Sequence, residues 1–156
     1  MKIYSANNVA TVTFTTSTGL VVTVGHFYRG EPLYLEGGIK VTKIVVSEKY
    51  DYFIGYSQFR YPSVVAVADL GIGDRVIIRT DRRDIEVVIT NVIQYGKYKR
   101  YMFEPRVIEE GDSGSPVMID DKIIGYVTHV NSFMSIEPVL DAIVNIAKRM
   151  KKTEKV

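Results

Sequence analysis

The 156-residue chain is long enough for one compact domain, or two small half-domains sharing a core. Its 46% hydrophobic and 24% charged residues exclude general disorder, and apolar runs such as Leu20 to Val24 are far shorter than the roughly 20 residues of a spanning helix. A net charge of +2 is too small to argue for a nucleic-acid partner, and the absence of cysteine excludes a disulfide framework, a thiolate zinc site and a catalytic thiol.

Met1 to Asn8 turns polar at once, without the apolar stretch of a secretory signal. With no cysteine, this favours an intracellular or virion setting and no membrane partner. Alternating or β-branched runs follow at Val9 to Phe14, Leu20 to Val24, Ile39 to Val46, Tyr52 to Tyr56 and Ser63 to Val67. They read as strands. Arg75 to Ile78, Ile85 to Ile93, Tyr98 to Phe103, Pro116 to Ile119 and Ile123 to Val130 continue the pattern, separated by turn residues such as Gly71-Ile72-Gly73-Asp74. About ten short strands without intervening helices favour antiparallel sheets, as a sandwich or barrels.

The period then changes, because Ile136, Val139, Leu140, Ile143, Ile146, Ala147 and Met150 recur every three or four residues. This predicts one amphipathic helix, with Pro138 in its first turn, Asp141 toward the positive end of its dipole and Lys148, Arg149, Lys151 and Lys152 at the negative end.

Gly111-Asp112-Ser113-Gly114-Ser115-Pro116-Val117 is the sharpest chemical motif. A serine hydroxyl attacks well only when a base takes its proton and backbone N–H groups receive the oxyanion, and flanking glycines permit the tight turn this requires. On composition alone the same residues describe a surface turn. His26 closes the apolar strand Leu20 to Gly25, and Asp51 stands at the mouth of another, before Tyr52-Phe53-Ile54. The order His26, Asp51, Ser113 is that of the chymotrypsin-type triad, not of subtilisin or the α/β-hydrolases. The final glycine of Gly-x-Ser-x-Gly is also missing, and two distant histidines without cysteine make a poor zinc ligand set.

Gly111 to Val117 resembles the nucleophile motif of chymotrypsin-like (trypsin-like) serine proteases. Thr23-Val24-Gly25-His26 resembles their histidine motif, and Asp51-Tyr52-Phe53-Ile54 their aspartate and the apolar residues after it. Leu70 to Val76 is similar to the turn that opens the second barrel, and Ile124 to Thr128 to the strand that binds substrate backbone. The resemblance implies an all-β fold of two antiparallel barrels with a C-terminal helix: residues 1–62, 63–135, and 136–156 for helix and tail. It further implies a serine endopeptidase acting on polypeptides without metal or cofactor. Ser113 would be nucleophile, His26 base and Asp51 the orienting acid, with Gly111 and Ser113 N–H groups as oxyanion hole.

By the same resemblance Val107 and Ile108 fall at the floor of the primary specificity pocket, and Thr128, His129 and Val130 on its wall. An apolar floor and a mouth narrowed by Val130 imply cleavage after small or medium apolar residues. A rival implication gives His129 a polar role in recognising Glu or Gln. Phe27 replaces the cysteine that secreted members carry after the histidine, and no activation segment is evident, so Asp112 either needs a partner other than a new N-terminus or stays partly exposed. The competing class is a non-catalytic binding or structural protein on the same fold.

Overall fold

The computed structural model describes residues 1–154, and side chains as far as Arg149. The side chains of Met150, Lys151 and Lys152, expected on the helix, and the last two residues of the tail lie outside this description. The first half contains β1 (Lys2–Tyr4), β2 (Val9–Thr11), β3 (Phe14–Thr15), β4 (Leu20–Val24), β5 (Leu33–Leu35), β6 (Lys40–Ser47) and β7 (Tyr52–Tyr56). They form one sheet in the order β2-β1-β5-β6-β7-β4-β3. Its two edge strands are separated in sequence only by Val12 and Thr13. Val12 N–H donates to the Met1 carbonyl and Thr13 N–H to that of Val22, both at 2.8 Å, so the sheet curls into a half-barrel.

The second half contains β8 (Arg75–Arg79), β9 (Asp84–Tyr95), β10 (Tyr98–Glu104), β11 (Pro116–Ile119), β12 (Lys122–His129) and β13 (Ser132–Ser135). They close into an antiparallel barrel in the order β10-β13-β12-β11-β8-β9. The expected all-β pair of barrels is therefore present, with the first one incomplete.

β4 and β7 read as nearly continuous apolar runs because both of their faces are covered. Val21 and Phe53 belong to the core enclosed by the first sheet, whereas Val22 and Ile54 cluster with Tyr126, Met134, Ile136 and Val139 from the second half. The helix α1 (Glu137–Glu154) completes this shared layer through Val139 and Ile146, with Ile136 just before it, and all three are buried. The two halves thus share an apolar interface that fixes how loops from each meet. No helix among the described residues is long and apolar enough to cross a membrane.

The expected strand over Ser63 to Val67 is a connector instead. It makes one parallel bridge, Val65 to Ile123, and leaves Val64 and Val67 exposed. Its β-branched composition mimics a strand, but its pairing with β12 is confined to Ile123, whose backbone bonds to Val64 and Ala66.

Tyr101, Phe103 and Phe133 fill the closed barrel, with the Tyr101 and Phe133 rings stacked at 5.0 Å between centroids. Phe133 is completely buried, so Phe133→Ala should cost about 3–5 kcal/mol. Urea unfolding should show a lower midpoint at an unchanged slope.

Candidate active site

His26 and Asp51 meet because β4 and β7 are paired in register, Val24 opposite Tyr52, and both residues lie just beyond that last pair. Asp51 has φ 57°, in the left-handed region that aspartate tolerates better than most residues. From there its carbonyl accepts from Gly25 N–H at 2.9 Å, its Oδ1 accepts from His26 N–H at 2.7 Å, and its Oδ2 lies 2.8 Å from His26 Nδ1. A Cβ at position 25 would sit 2.9 Å from the Tyr52 carbonyl oxygen, so glycine there lets the two chains approach. The Tyr126 hydroxyl donates to the Tyr50 carbonyl at 2.5 Å and ties this turn to β12 of the barrel.

A carboxylate only accepts, so the contact places the imidazole proton on Nδ1 and leaves the Nε2 lone pair available. The hydrogen bond to Asp51 raises the pKa of His26 above the ordinary histidine value; burial and the Arg29 charge oppose it.

Ser113 stands on a turn clamped from both halves. Its carbonyl accepts from Thr11 N–H at 2.8 Å, while Gly114 N–H donates to the Val127 carbonyl at 2.8 Å and the Gly114 carbonyl accepts from the Thr13 hydroxyl at 2.6 Å. Gly114 has φ 93°, and a Cβ there would overlap the Thr11 carbonyl oxygen, so the motif glycine is required by conformation and by space. Gly111 and Ser113 N–H groups have no acceptor among the described residues, although their neighbours Asp112, Gly114 and Ser115 all donate within the fold. The Ser113 hydroxyl likewise makes no hydrogen bond within the described chain, to His26 or to any other residue. Such contacts commonly tighten only when substrate is bound.

His26, Asp51 and Ser113 all line one cleft of about 900 Å³ between the halves. Ile108, Thr128, His129 and Val130 line it too, whereas Val107 packs against the barrel core. The His26 and His129 rings are 6.2 Å apart.

No protein-family model and no curated protein matches the chain. Solved structures do match. The Rv3671c protease of M. tuberculosis, in an inactive form, superposes with a TM-score of 0.72 at 19% identity over 94% of this chain and 85% of that one. A glutamic-acid-specific serine protease that uses a histidine triad in substrate binding gives 0.68 at 16% identity, over 91% and 95%. The HtrA-type protease AlgW, solved with a decapeptide, gives 0.72 at 12% identity, over 89% and 51%. This is the double β-barrel fold of the trypsin-like proteases.

Three cleft-side features have no counterpart in the sequence motifs. Asp112, only 2% exposed, is paired with Arg82 at 2.5 Å and lies 4.0 Å from Lys2 Nζ. Its Oδ2 also accepts from Glu109 N–H at 2.9 Å. These contacts supply the partner that Asp112 requires. The Gly111 carbonyl accepts from both Lys2 Nζ and the Thr11 hydroxyl, each at 2.8 Å, which fixes the peptide leading into the turn. Arg100 lines the cleft as well. All three depend on charged side chains that arrive from distant parts of the chain, Lys2 on β1, Arg82 in the β8–β9 turn and Arg100 on β10, so local spacing carries no trace of them.

Proposed function

We propose that this chain is a serine endopeptidase. The observation that carries the reading is the doubly bonded contact of Asp51 with His26 on the cleft that also holds Ser113. Ser113 Oγ attacks the scissile carbonyl carbon while His26 Nε2 takes the hydroxyl proton. The oxyanion is received by Gly111 and Ser113 N–H groups, which have no acceptor among the described residues. His26 then returns the proton to the leaving amine, the C–N bond breaks and an acyl-Ser113 ester remains. Water, deprotonated by His26, hydrolyses that ester. Asp51 holds the imidazole in the tautomer needed and stabilises the imidazolium formed at each step.

A polypeptide substrate is supported by the fold's occurrence in AlgW with a bound peptide. The apolar preference expected from Val107 and Ile108 is weaker support for specificity, since Val107 faces the core and the cleft contains a cation, Arg100.

A fluorophosphonate probe should label Ser113, located by mass spectrometry, and His26→Ala should suppress labelling because an unassisted serine is a weak nucleophile. Folded wild-type protein that stays unlabelled across pH 6–9 would assign the chain to non-catalytic binding proteins on this fold.

A further inference from the structure

Arg100 lies within β10 and contributes to the wall of the Ser113 cleft. Its Nη2 donates to Ser132 Oγ at 3.0 Å and approaches His129 Nδ1 at 3.2 Å, while its Nε is buried and has no acceptor. Three other arginines do have carboxylate partners: Arg75 pairs with Glu86, Arg79 with Asp84, and Arg82 with Asp112 and Glu109. No carboxylate among the described residues pairs with Arg100. A guanidinium is always charged and its planar fork matches a carboxylate, so neutral hydroxyl and imidazole acceptors leave both the charge and one N–H uncompensated.

The surroundings select the sign of the missing group. Arg100 can only donate, so His129 Nδ1 must accept from it, and the neutral imidazole carries its proton on Nε2 as a further donor. Burial first, and then the charge of Arg100, holds the His129 pKa below the ordinary value, which keeps that neutral form at working pH. Thr128 and Ser132 add buried hydroxyls within 3.4 Å of this cluster. Ile108 and Met134 supply apolar surface for an aliphatic stem. The cluster is also adjacent to the nucleophile: Gly114 N–H bonds to the Val127 carbonyl, and Thr128 and His129 are the next two residues of β12. Glu48, Glu109 and Glu110 also line the cleft, but none forms an ion pair with Arg100, and Glu109 is itself paired with Arg82 at 3.2 Å.

We propose that Arg100, together with His129, is the specificity determinant of this cleft and receives the carboxylate of a glutamate or aspartate immediately before the scissile bond. A lysine or arginine there would meet a like charge, and an apolar side chain would cover the guanidinium without satisfying it. The proposal rests on the serine endopeptidase reading, and its test separates the two.

Four peptide amides identical except for Glu, Gln, Ala or Lys before the scissile bond would be compared by kcat/KM, alongside fluorophosphonate labelling of Ser113. Glu and Gln are nearly isosteric, so their ratio reads the charge alone. The wild-type protein should favour Glu over Gln by about 10- to 100-fold, the worth of a charge-assisted contact. Arg100→Gln should collapse that ratio toward unity, and Arg100→Lys should restore part of it. Labelling of Ser113 with cleavage indifferent to charge, or with a preference for Lys or Ala, overturns the pocket assignment and leaves the endopeptidase reading standing. No labelling and no cleavage of any peptide overturns both. The wild-type ratio decides even if an Arg100 variant fails to fold.

Discussion

Replacing Asp51 by asparagine should leave the fold intact and lower peptide turnover by on the order of 10⁴, by analogy with the same exchange in the chymotrypsin triad. Asp51 sits in a left-handed turn that asparagine also accepts, and the new side chain keeps an oxygen for His26 N–H. An amide nitrogen facing Nδ1 donates rather than accepts, so the imidazole switches tautomer and Nε2 carries the proton it should receive. The pH profile provides a second reading. Hydrogen bonding to Asp51 raises the His26 pKa, so wild-type activity should fall with acid through a midpoint above the ordinary histidine value of about 6.5. In Asp51→Asn that midpoint should move down. The sign for stability runs with the raised pKa: the stabilisation from pairing is full below the unfolded value and fades as pH rises through the folded one. A variant that kept most of its turnover and an unmoved acid limb would remove Asp51 from the mechanism.

The elements legible in the sequence are those whose residues stand close together. β4, β7 and β12 declare themselves as apolar runs because they are covered on both faces, and helix α1 does so because Ile136, Val139 and Ile146 share one stripe against the layer between the halves. Ser113 is legible because Gly114 cannot be replaced without striking the Thr11 carbonyl, so the constraint is written into adjacent positions. β1, β5 and β13, three or four residues each, are too short to show alternation and exist through pairing with β2, β6 and β12. Ser63 to Val67 errs the other way, with strand composition but a single bridge, to Ile123 of β12. Arg82 and Arg100 belong to ordinary surface-type patterns on their own segments. Only closure of the barrel carries one to Asp112, thirty residues on, and the other to His129.

The Arg82 contact leads to the second large effect. Arg82→Ala should destabilise the protein by about 3 kcal/mol and reduce peptide turnover by about 100-fold. Asp112 is 2% exposed, and without Arg82 its carboxylate keeps only Glu109 N–H and a Lys2 ammonium 4.0 Å away. Removing one member of a buried ion pair costs about 3–5 kcal/mol, and the lower end applies because Arg82 is 43% exposed and Lys2 remains. The turnover loss follows from position: Asp112 lies between the two residues whose N–H groups would hold the oxyanion, so a turn that relaxes to rehydrate Asp112 moves both donors. Misplacement by about 1 Å is enough for a loss of that size. Arg82→Lys should recover most of the stability and part of the rate, since a point charge replaces a fork. Denaturant unfolding and the rate of Ser113 labelling, both measured well below the thermal transition, distinguish the two roles. If stability falls while labelling keeps its wild-type rate, Arg82 braces the fold and has no hand in shaping the oxyanion turn.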